Sequence, residues 1–225
     1  MPEKSGVFDM IGPVMIGPSS SHTAGVVRIG RTANRLIGGV PEEAVITFYN
    51  SFARTYEGHG SDRAVLAGLM DFKTDDIRIK ESLEIATKNG LIFQFKGIAN
   101  ASIMHPNSVK LNLKKAGKVV EVIGESLGGG IINIAEIDGF KADFRASLHT
   151  LVMKAEDVKG SVAFIASVLA HDDCNIATMS VSRKGKNELA CLVIEMDSGL
   201  NPVTLEYLRS LRWVKELIYI PDIDL

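Results

Sequence analysis

The residues best suited to chemistry lie in a loop that precedes an amphipathic helix. Four hydroxyl side chains, those of Ser19, Ser20, Ser21 and Thr23, surround His22. An imidazole titrates near neutral pH and can move a proton, while the start of a helix attracts anions such as carboxylates. The loop is therefore either part of an active-site face or a helix cap, since Ser and Thr commonly satisfy the free N–H groups there.

Two further histidines lie in motifs of their own. His59 stands between Gly58 and Gly60, and His105 begins the triplet His105-Pro106-Asn107. The first motif indicates either a tight turn whose histidine ring is solvated, or a histidine that supports the residues in contact with substrate. The second indicates a turn entering a strand, which we favour, or a polar contact to substrate. We retain His59, His105 and Asn107 as candidate substrate-binding residues.

The cysteines exclude one kind of metal centre in this chain. An iron-sulfur cluster is usually held by three or four thiolates, and the chain has two cysteines, Cys174 and Cys191, far apart in sequence. They are expected to be reduced, buried and small. Paired-cysteine zinc motifs and the His-Glu-x-x-His motif are also missing from the sequence, so no metal ligands are assigned to this chain.

Composition narrows the possible partners. Of the 225 residues, 46% are hydrophobic and 23% are charged, and the formal net charge is -2. No basic field exists to gather nucleic acid or an anionic membrane. No run of residues approaches the roughly 20 apolar positions that a membrane span needs, so the expected location is the cytoplasm.

The elements expected to position the candidate residues form an α+β domain over residues 1–144. Apolar spacing and capping residues predict helices at Ala24–Ile37, from Ser61 or Asp62 onward, and at Ile79–Lys88. Runs of branched residues between Gly-containing turns predict strands at Val45–Tyr49, Leu91–Phe95, Val109–Leu113, Val119–Ile123 and Ile131–Ile137. A short polar crossing is expected between Tyr49 and Gly58.

The pattern of residues 148–225 predicts a second module, in which helices and strands follow one another in a different order. The order is strand, helix, strand, strand, helix, strand, which is the ferredoxin-like βαββαβ arrangement. The elements are expected at Leu148–Lys154, Ser161–Ala170, Ile176–Ser182, Leu189–Met196, from Pro202 onward and at Val214–Ile220. Its exposed sheet edges or helices favour self-association.

Five motifs follow one another in the first domain: Phe8-Asp9-Met10-Ile11-Gly12-Pro13, Gly17-Pro18-Ser19-Ser20-Ser21-His22-Thr23-Ala24-Gly25, Gly58-His59-Gly60-Ser61-Asp62-Arg63-Ala64-Val65, His105-Pro106-Asn107 and Ser126-Leu127-Gly128-Gly129-Gly130. Together and in this order, they resemble the beta subunit of iron-sulfur-dependent L-serine dehydratase. The family fold also resembles the allosteric-substrate-binding domain of some phosphoglycerate dehydrogenases. In the second module, Asp157 and Gly160 between strand and helix resemble the ACT domain, a regulatory module that usually binds amino acids.

The resemblance implies conversion of L-serine to pyruvate and ammonia by loss of water. A partner alpha subunit would carry a four-iron four-sulfur cluster whose iron acts as a Lewis acid on the serine hydroxyl. In this chain His22 is the candidate catalytic residue. The candidate substrate-binding residues are Ser19, Ser20, Ser21, Thr23, His59, His105 and Asn107. Two other functions stay open: an amino-acid sensor without catalytic activity, and a purely structural partner subunit.

Overall fold

The computed structural model describes residues 13–101, 104–185 and 188–223. Within these ranges the chain forms two compact units, which divide between Ile134 and Ala135. The motif beginning at Phe8 lies outside the described residues up to Gly12. The domain boundary expected between residues 144 and 148 stays a prediction.

In its described residues, the first unit combines four helices with a mixed sheet. Its helices are α1 (Gly25–Ile37), α2 (Asn50–Thr55), α3 (Ser61–Leu69) and α4 (Ser82–Lys88), with a π-helical turn at Ser20–Ala24 and a 3-10 turn at Ile77–Glu81. Its strands are β1 (Glu43–Tyr49), β2 (Ile92–Ile98), β3 (Ser108–Lys115) and β4 (Lys118–Gly128), and β5 (Ile131–Ile137) crosses the division between the units. With β6 (Phe140–Phe144) these strands form a sheet in the order β2-β1-β3-β4-β5-β6, in which β1 is parallel to β2 and antiparallel to β3.

Helix α1 lies at the centre of this unit. Every residue of α1 except Arg35 is buried, so its polar side chains need partners inside the protein. Arg28 donates to the carbonyl of Gly130 at 2.7 Å, and Asn34 donates to the carbonyl of Leu69 at 2.7 Å. Gly130 ends a run of three glycines with positive φ that begins at the last residue of β4 and leads into β5. Glycine adopts this backbone conformation without steric cost.

Two glycines allow α1 and α3 to touch at their backbones. A Cβ atom on Gly68 would lie 2.2 Å from the carbonyl oxygen of Val27, and one on Gly30 would lie 2.7 Å from that of Val65. Ser61, the first residue of α3, bonds to the carbonyl of His22 just before α1, and Asn34 near the end of α1 bonds to the carbonyl of Leu69 at the end of α3. Start therefore meets start and end meets end, so α1 and α3 run in the same direction. The loops that precede the two helices are therefore neighbours.

The second unit contains the predicted βαββαβ module. Its elements are β7 (His149–Glu156), α5 (Ser161–His171), β8 (Ile176–Arg183), β9 (Leu189–Met196), α6 (Pro202–Ser210) and β10 (Val214–Ile220). The sheet order is β10-β7-β9-β8 with antiparallel pairing throughout. One apolar cluster contains Ile165 and Leu169 of α5, Leu208 of α6 and residues of the sheet. The ferredoxin-like arrangement and the α+β class are confirmed.

Two elements were missing from the sequence prediction and one was placed differently. The segment after Tyr49, predicted to be a short polar crossing, contains helix α2. Its first residue, Asn50, donates hydrogen bonds from its side chain to the carbonyls of Ala101 and Met104. Strand β6 has the alternating burial of a short strand. The helix predicted at Ile79–Lys88 begins as a 3-10 turn and becomes α-helical only at Ser82.

Candidate active site

The hydroxyl loop forms the π-helical turn that leads into α1, and it orients the His22 imidazole. Ser19 caps the turn by accepting a hydrogen bond from the His22 backbone N–H at 3.1 Å. The Ser21 hydroxyl lies 3.0 Å from Nδ1 of His22, and the Ser19 hydroxyl lies 3.4 Å from the same atom. Ser20 accepts the Gly25 N–H through its backbone carbonyl. The loop therefore caps a helix and also fixes one side of an imidazole.

The opposite side of the His22 ring lacks a polar partner. Its Nε2 atom is buried and forms no hydrogen bond within the described part of the chain. The ring contacts Phe52 edge to face at a centroid distance of 4.9 Å and lies 4.8 Å from the ring of His59. Burial, aided by the neighbouring His59, lowers the pKa of His22 below its ordinary value. The imidazole is therefore neutral at pH 7 and can accept a proton.

Two hydrogen bonds join the loop before α1 to the loop before α3. The Thr23 hydroxyl donates to the backbone carbonyl of His59 at 3.3 Å, and the Ser61 hydroxyl donates to that of His22 at 2.8 Å. Nδ1 of His59 lies 3.3 Å from the carbonyl of Thr55. The structure thus brings together residues separated by almost forty positions in sequence.

His105 and Asn107 form a turn that leads into β3. The Asn107 backbone N–H donates to Nδ1 of His105 at 3.2 Å, and the Ser108 hydroxyl donates to the His105 carbonyl at 2.9 Å. Across the described residues, no hydrogen bond or ring contact joins either side chain to His22. These contacts agree with a turn that enters a strand, and the binding role of both residues stays a prediction.

Two buried polar groups near the loop were not singled out as site residues. Oδ1 of Asp62 and Oγ of Ser126 are buried without hydrogen-bond partners in the described part of the chain. Burial raises the pKa of the Asp62 carboxyl. A Cβ on Gly25 would lie 2.2 Å from Oγ of Ser126, so Ser126 adjoins the start of α1. Both residues belong to motifs identified in the sequence, but burial without a partner depends on the tertiary structure.

A pocket of about 200 Å³ opens beside the two loops. Residues of both loops line it, including Thr23 and His59. Three charged side chains complete the lining: Glu57, Arg63 from α3, and Lys80 from the 3-10 turn. The sequence indicated no charge cluster, because these residues come from three different segments.

The described residues of this chain do not fit an iron-sulfur cluster. They contain no group of three or more His, Cys, Asp or Glu side chains arranged to hold a metal ion. Both cysteines are buried as free thiols, and burial raises the pKa of Cys191 to about 11. A thiol of that kind is protonated at neutral pH and is a poor metal ligand. Among the described helices, none is long and apolar enough to span a membrane.

The fold and the site together define a two-module α+β protein, in which a loop of hydroxyl residues and a histidine lies beside a small pocket with charged side chains in its lining. A sequence profile described as serine dehydratase beta chain matches residues 6–136. The chain belongs to this family, as its motifs predicted.

Two of the relatives match this chain over most of its length and most of their own. The probable L-serine dehydratase beta chain of Bacillus subtilis is 42% identical over 96% of this chain and 98% of its own. The L-serine dehydratase beta chain of Peptoniphilus asaccharolyticus is 34% identical over 86% of this chain and 87% of its own. The similarity therefore extends through both modules.

Two more distant similarities involve only part of the other protein or of this chain. The D-3-phosphoglycerate dehydrogenase of Bacillus subtilis is 24% identical over 87% of this chain and 35% of its own. The solved ACT domain of the Chlorobium tepidum GTP pyrophosphokinase is 19% identical, covers 32% of this chain and 94% of that domain, and has a TM-score of 0.27. The confirmation of the ferredoxin-like fold comes from the strand order of the second unit.

Proposed function

We propose that this chain is the beta subunit of an L-serine dehydratase that acts together with a cluster-bearing alpha subunit. The observation that carries the proposal is the His22 imidazole. Hydroxyl groups approach its Nδ1 atom, and its Nε2 atom is buried without a hydrogen-bond partner among the described residues. It lies in a motif of the family to which the chain belongs, and named beta chains match both modules. The relatives' names supply the substrate, L-serine.

The proposed division of labour assigns proton handling and substrate positioning to this chain. Loss of water from L-serine breaks the bond from Cα to hydrogen and the bond from Cβ to oxygen, and the resulting enamine hydrolyses to pyruvate and ammonia. A neutral imidazole oriented by Ser21 can take up or pass on a proton at Nε2. The loop hydroxyls can hold the carboxylate.

The four-iron four-sulfur cluster is assigned to the partner alpha subunit. This assignment rests on the family resemblance and on the donor groups of this chain, because its two cysteines are separate and buried. We further propose that the second module is an ACT domain that pairs with another copy of itself. Neither proposal requires a metal ligand from this chain.

Purification of the chain with and without its alpha partner tests the proposed function. The isolated chain is expected to be colourless, free of stoichiometric iron after anaerobic handling, and inactive on L-serine. The anaerobically reconstituted complex is expected to absorb visible light and to form pyruvate. A cluster and turnover in the isolated chain would overturn the two-subunit proposal, and an intact cluster-bearing complex without serine turnover would favour a sensor or structural subunit.

A further inference from the structure

Helix α5 of the second unit carries no Lys, Arg, Asp or Glu side chain, although many of its residues face solvent. Its exposed residues include Val162 and Phe164, whose exposed fractions are 41% and 39%. On the neighbouring α6, Val203 and Tyr207 are 74% and 46% exposed. A helix that is apolar on every side is usually buried against another surface. We call the surface of α5 and α6 that contains these four residues the helix face, and the described residues leave it open to solvent.

An open groove of about 320 Å³ lies between the two helices on the helix face. Its lining includes Phe164 and Val168 of α5 and Thr204 and Tyr207 of α6. The centroid of the Phe164 ring lies 6.2 Å from that of Tyr207 and 6.3 Å from that of Trp213. Aromatic residues are enriched where proteins meet, and apolar side chains of a partner fill grooves between helices. The groove is therefore suited to a side chain from a partner.

Helices α5 and α6 run in opposite directions across the helix face. Phe164 near the start of α5 contacts Tyr207 near the end of α6. Just after α5, Asp172 accepts a hydrogen bond at 2.7 Å from the N–H of Asn201, just before α6. Residues 171–178 and 196–204 form this end of the helix face, and they contain no Lys or Arg but three aspartates, Asp172, Asp173 and Asp197. The end at which α5 stops is therefore acidic.

The opposite end of the helix face has an excess of positive charge. The acidic residues of segments 156–160 and 206–215 each pair with a cation, and they are Glu156, Asp157 and Glu206. Lys159 and Arg212 remain exposed and form no ion pair with a described residue. Because Lys159 precedes α5 and aspartates follow it, both ends of this helix carry the sign of charge that its dipole disfavours. A partner with the reverse order of charges would compensate both ends.

We propose that the helix face binds a second copy of this chain through a twofold axis that sets the two α5 helices antiparallel. The cationic end of each copy then lies on the acidic end of the other, and the apolar side chains of each copy cover the groove of the other. A twofold interface joins a surface to itself, so the two halves of that surface must be complementary. The opposite charges at the two ends meet this requirement. The inference identifies the surface by which the second module pairs, and it rests on that part of the proposed function.

Sedimentation of the full isolated chain with exchanged charges tests this arrangement. Asp173→Lys combined with Asp197→Lys makes both ends cationic, and Lys159→Glu combined with Arg212→Glu makes both ends acidic. Each double variant alone is expected to form a dimer that is weaker by roughly tenfold or more, because like charges then face each other. An equimolar mixture of the two should dimerise as tightly as the wild type, since opposite charges meet again at both ends. Recovery on mixing also shows that neither variant is misfolded.

Tyr207→Gln and Val181→Gln form a matched pair at exposed apolar residues. Tyr207 belongs to the helix face, whereas Val181, which is 49% exposed, lies on the edge strand β8 of the sheet. Tyr207→Gln should weaken the dimer by roughly tenfold, because it removes an aromatic contact from the interface. Val181→Gln should leave the dimer unchanged.

Three outcomes would overturn the inference. A dimer weakened by Val181→Gln and not by Tyr207→Gln would assign the pairing to the sheet edge. A mixture of charge variants that does not recover the dimer would reject the antiparallel arrangement. A wild-type chain that stays monomeric, and that needs Tyr207 to bind its alpha subunit, would assign the helix face to that subunit. Serine turnover by the reconstituted complex tests the enzymatic role separately, so turnover retained with a monomeric chain would reject this surface alone.

Discussion

At the scale of single residues, His22 combines two features that ordinary helix caps do not need. The hydroxyls of Ser19 and Ser21 approach its Nδ1, and its Nε2 is buried without a partner in the described part of the chain. A buried polar atom without a hydrogen bond costs free energy. Such a cost is consistent with a group that acquires its partner when substrate or another subunit binds.

Substitution of this histidine distinguishes a proton-transfer role from loop ordering. His22→Asn in the reconstituted complex is expected to lower turnover by about 100-fold or more, because the amide cannot exchange a proton near neutral pH. His171→Asn, at an exposed histidine of α5, is the matched control and should retain wild-type turnover.

The interpretation of that experiment requires a complex shown to keep its alpha subunit and its iron. Near wild-type turnover and serine affinity in His22→Asn would remove the imidazole from the reaction. The loop would then serve as a cap for α1, the alternative that the sequence left open.

At the scale of elements, the backbone contact between α1 and α3 positions the two loops. Gly68→Ala would place a methyl group 2.2 Å from the carbonyl oxygen of Val27, so the helices must move apart. We expect the free energy of unfolding to fall by about 1–3 kcal/mol, measured by denaturant titration. Turnover of the complex should also fall, because Thr23 and His59 would no longer keep their hydrogen bond.

Gly97→Ala is the control for this close approach. A Cβ on Gly97 would meet its nearest atom, the Ala53 carbonyl oxygen, at 3.5 Å, an ordinary contact. Its free energy of unfolding should change by less than about 0.5 kcal/mol. Equal stability of the two variants would show that the helices adjust easily and that their contact does not hold the loops in place.

At the scale of the whole molecule, the second module is expected to be an independent folding and pairing unit. Its four strands form one sheet, and the sheet and the two helices share one apolar cluster. The segment from Leu148 onward should therefore unfold cooperatively and sediment as a dimer at micromolar concentration. A folded segment that sediments strictly as a monomer would contradict self-association, and a segment that does not unfold cooperatively would contradict independent folding.

Local patterns were sufficient to predict much of this protein from its sequence. Apolar spacing identified α1, branched runs identified most strands, and the element order identified the βαββαβ module. These features depend on interactions between residues close in sequence, so a single sequence is enough to recognise them. The motifs also identified the family, which the profile match confirms. The short helix α2 was missed because its six residues are too few for a helical period to emerge.

Only the tertiary structure decided which polar residues share a site. The proximity of His22 to His59, the burial of Nε2 of His22, and the meeting of Glu57, Arg63 and Lys80 at one pocket depend on the packing of separate elements. Desolvation, which lowers the pKa of His22, likewise depends on what surrounds the ring. The sequence determined which chemical groups were available, and packing determined which of them meet, because proximity and burial arise from contacts between distant parts of the chain.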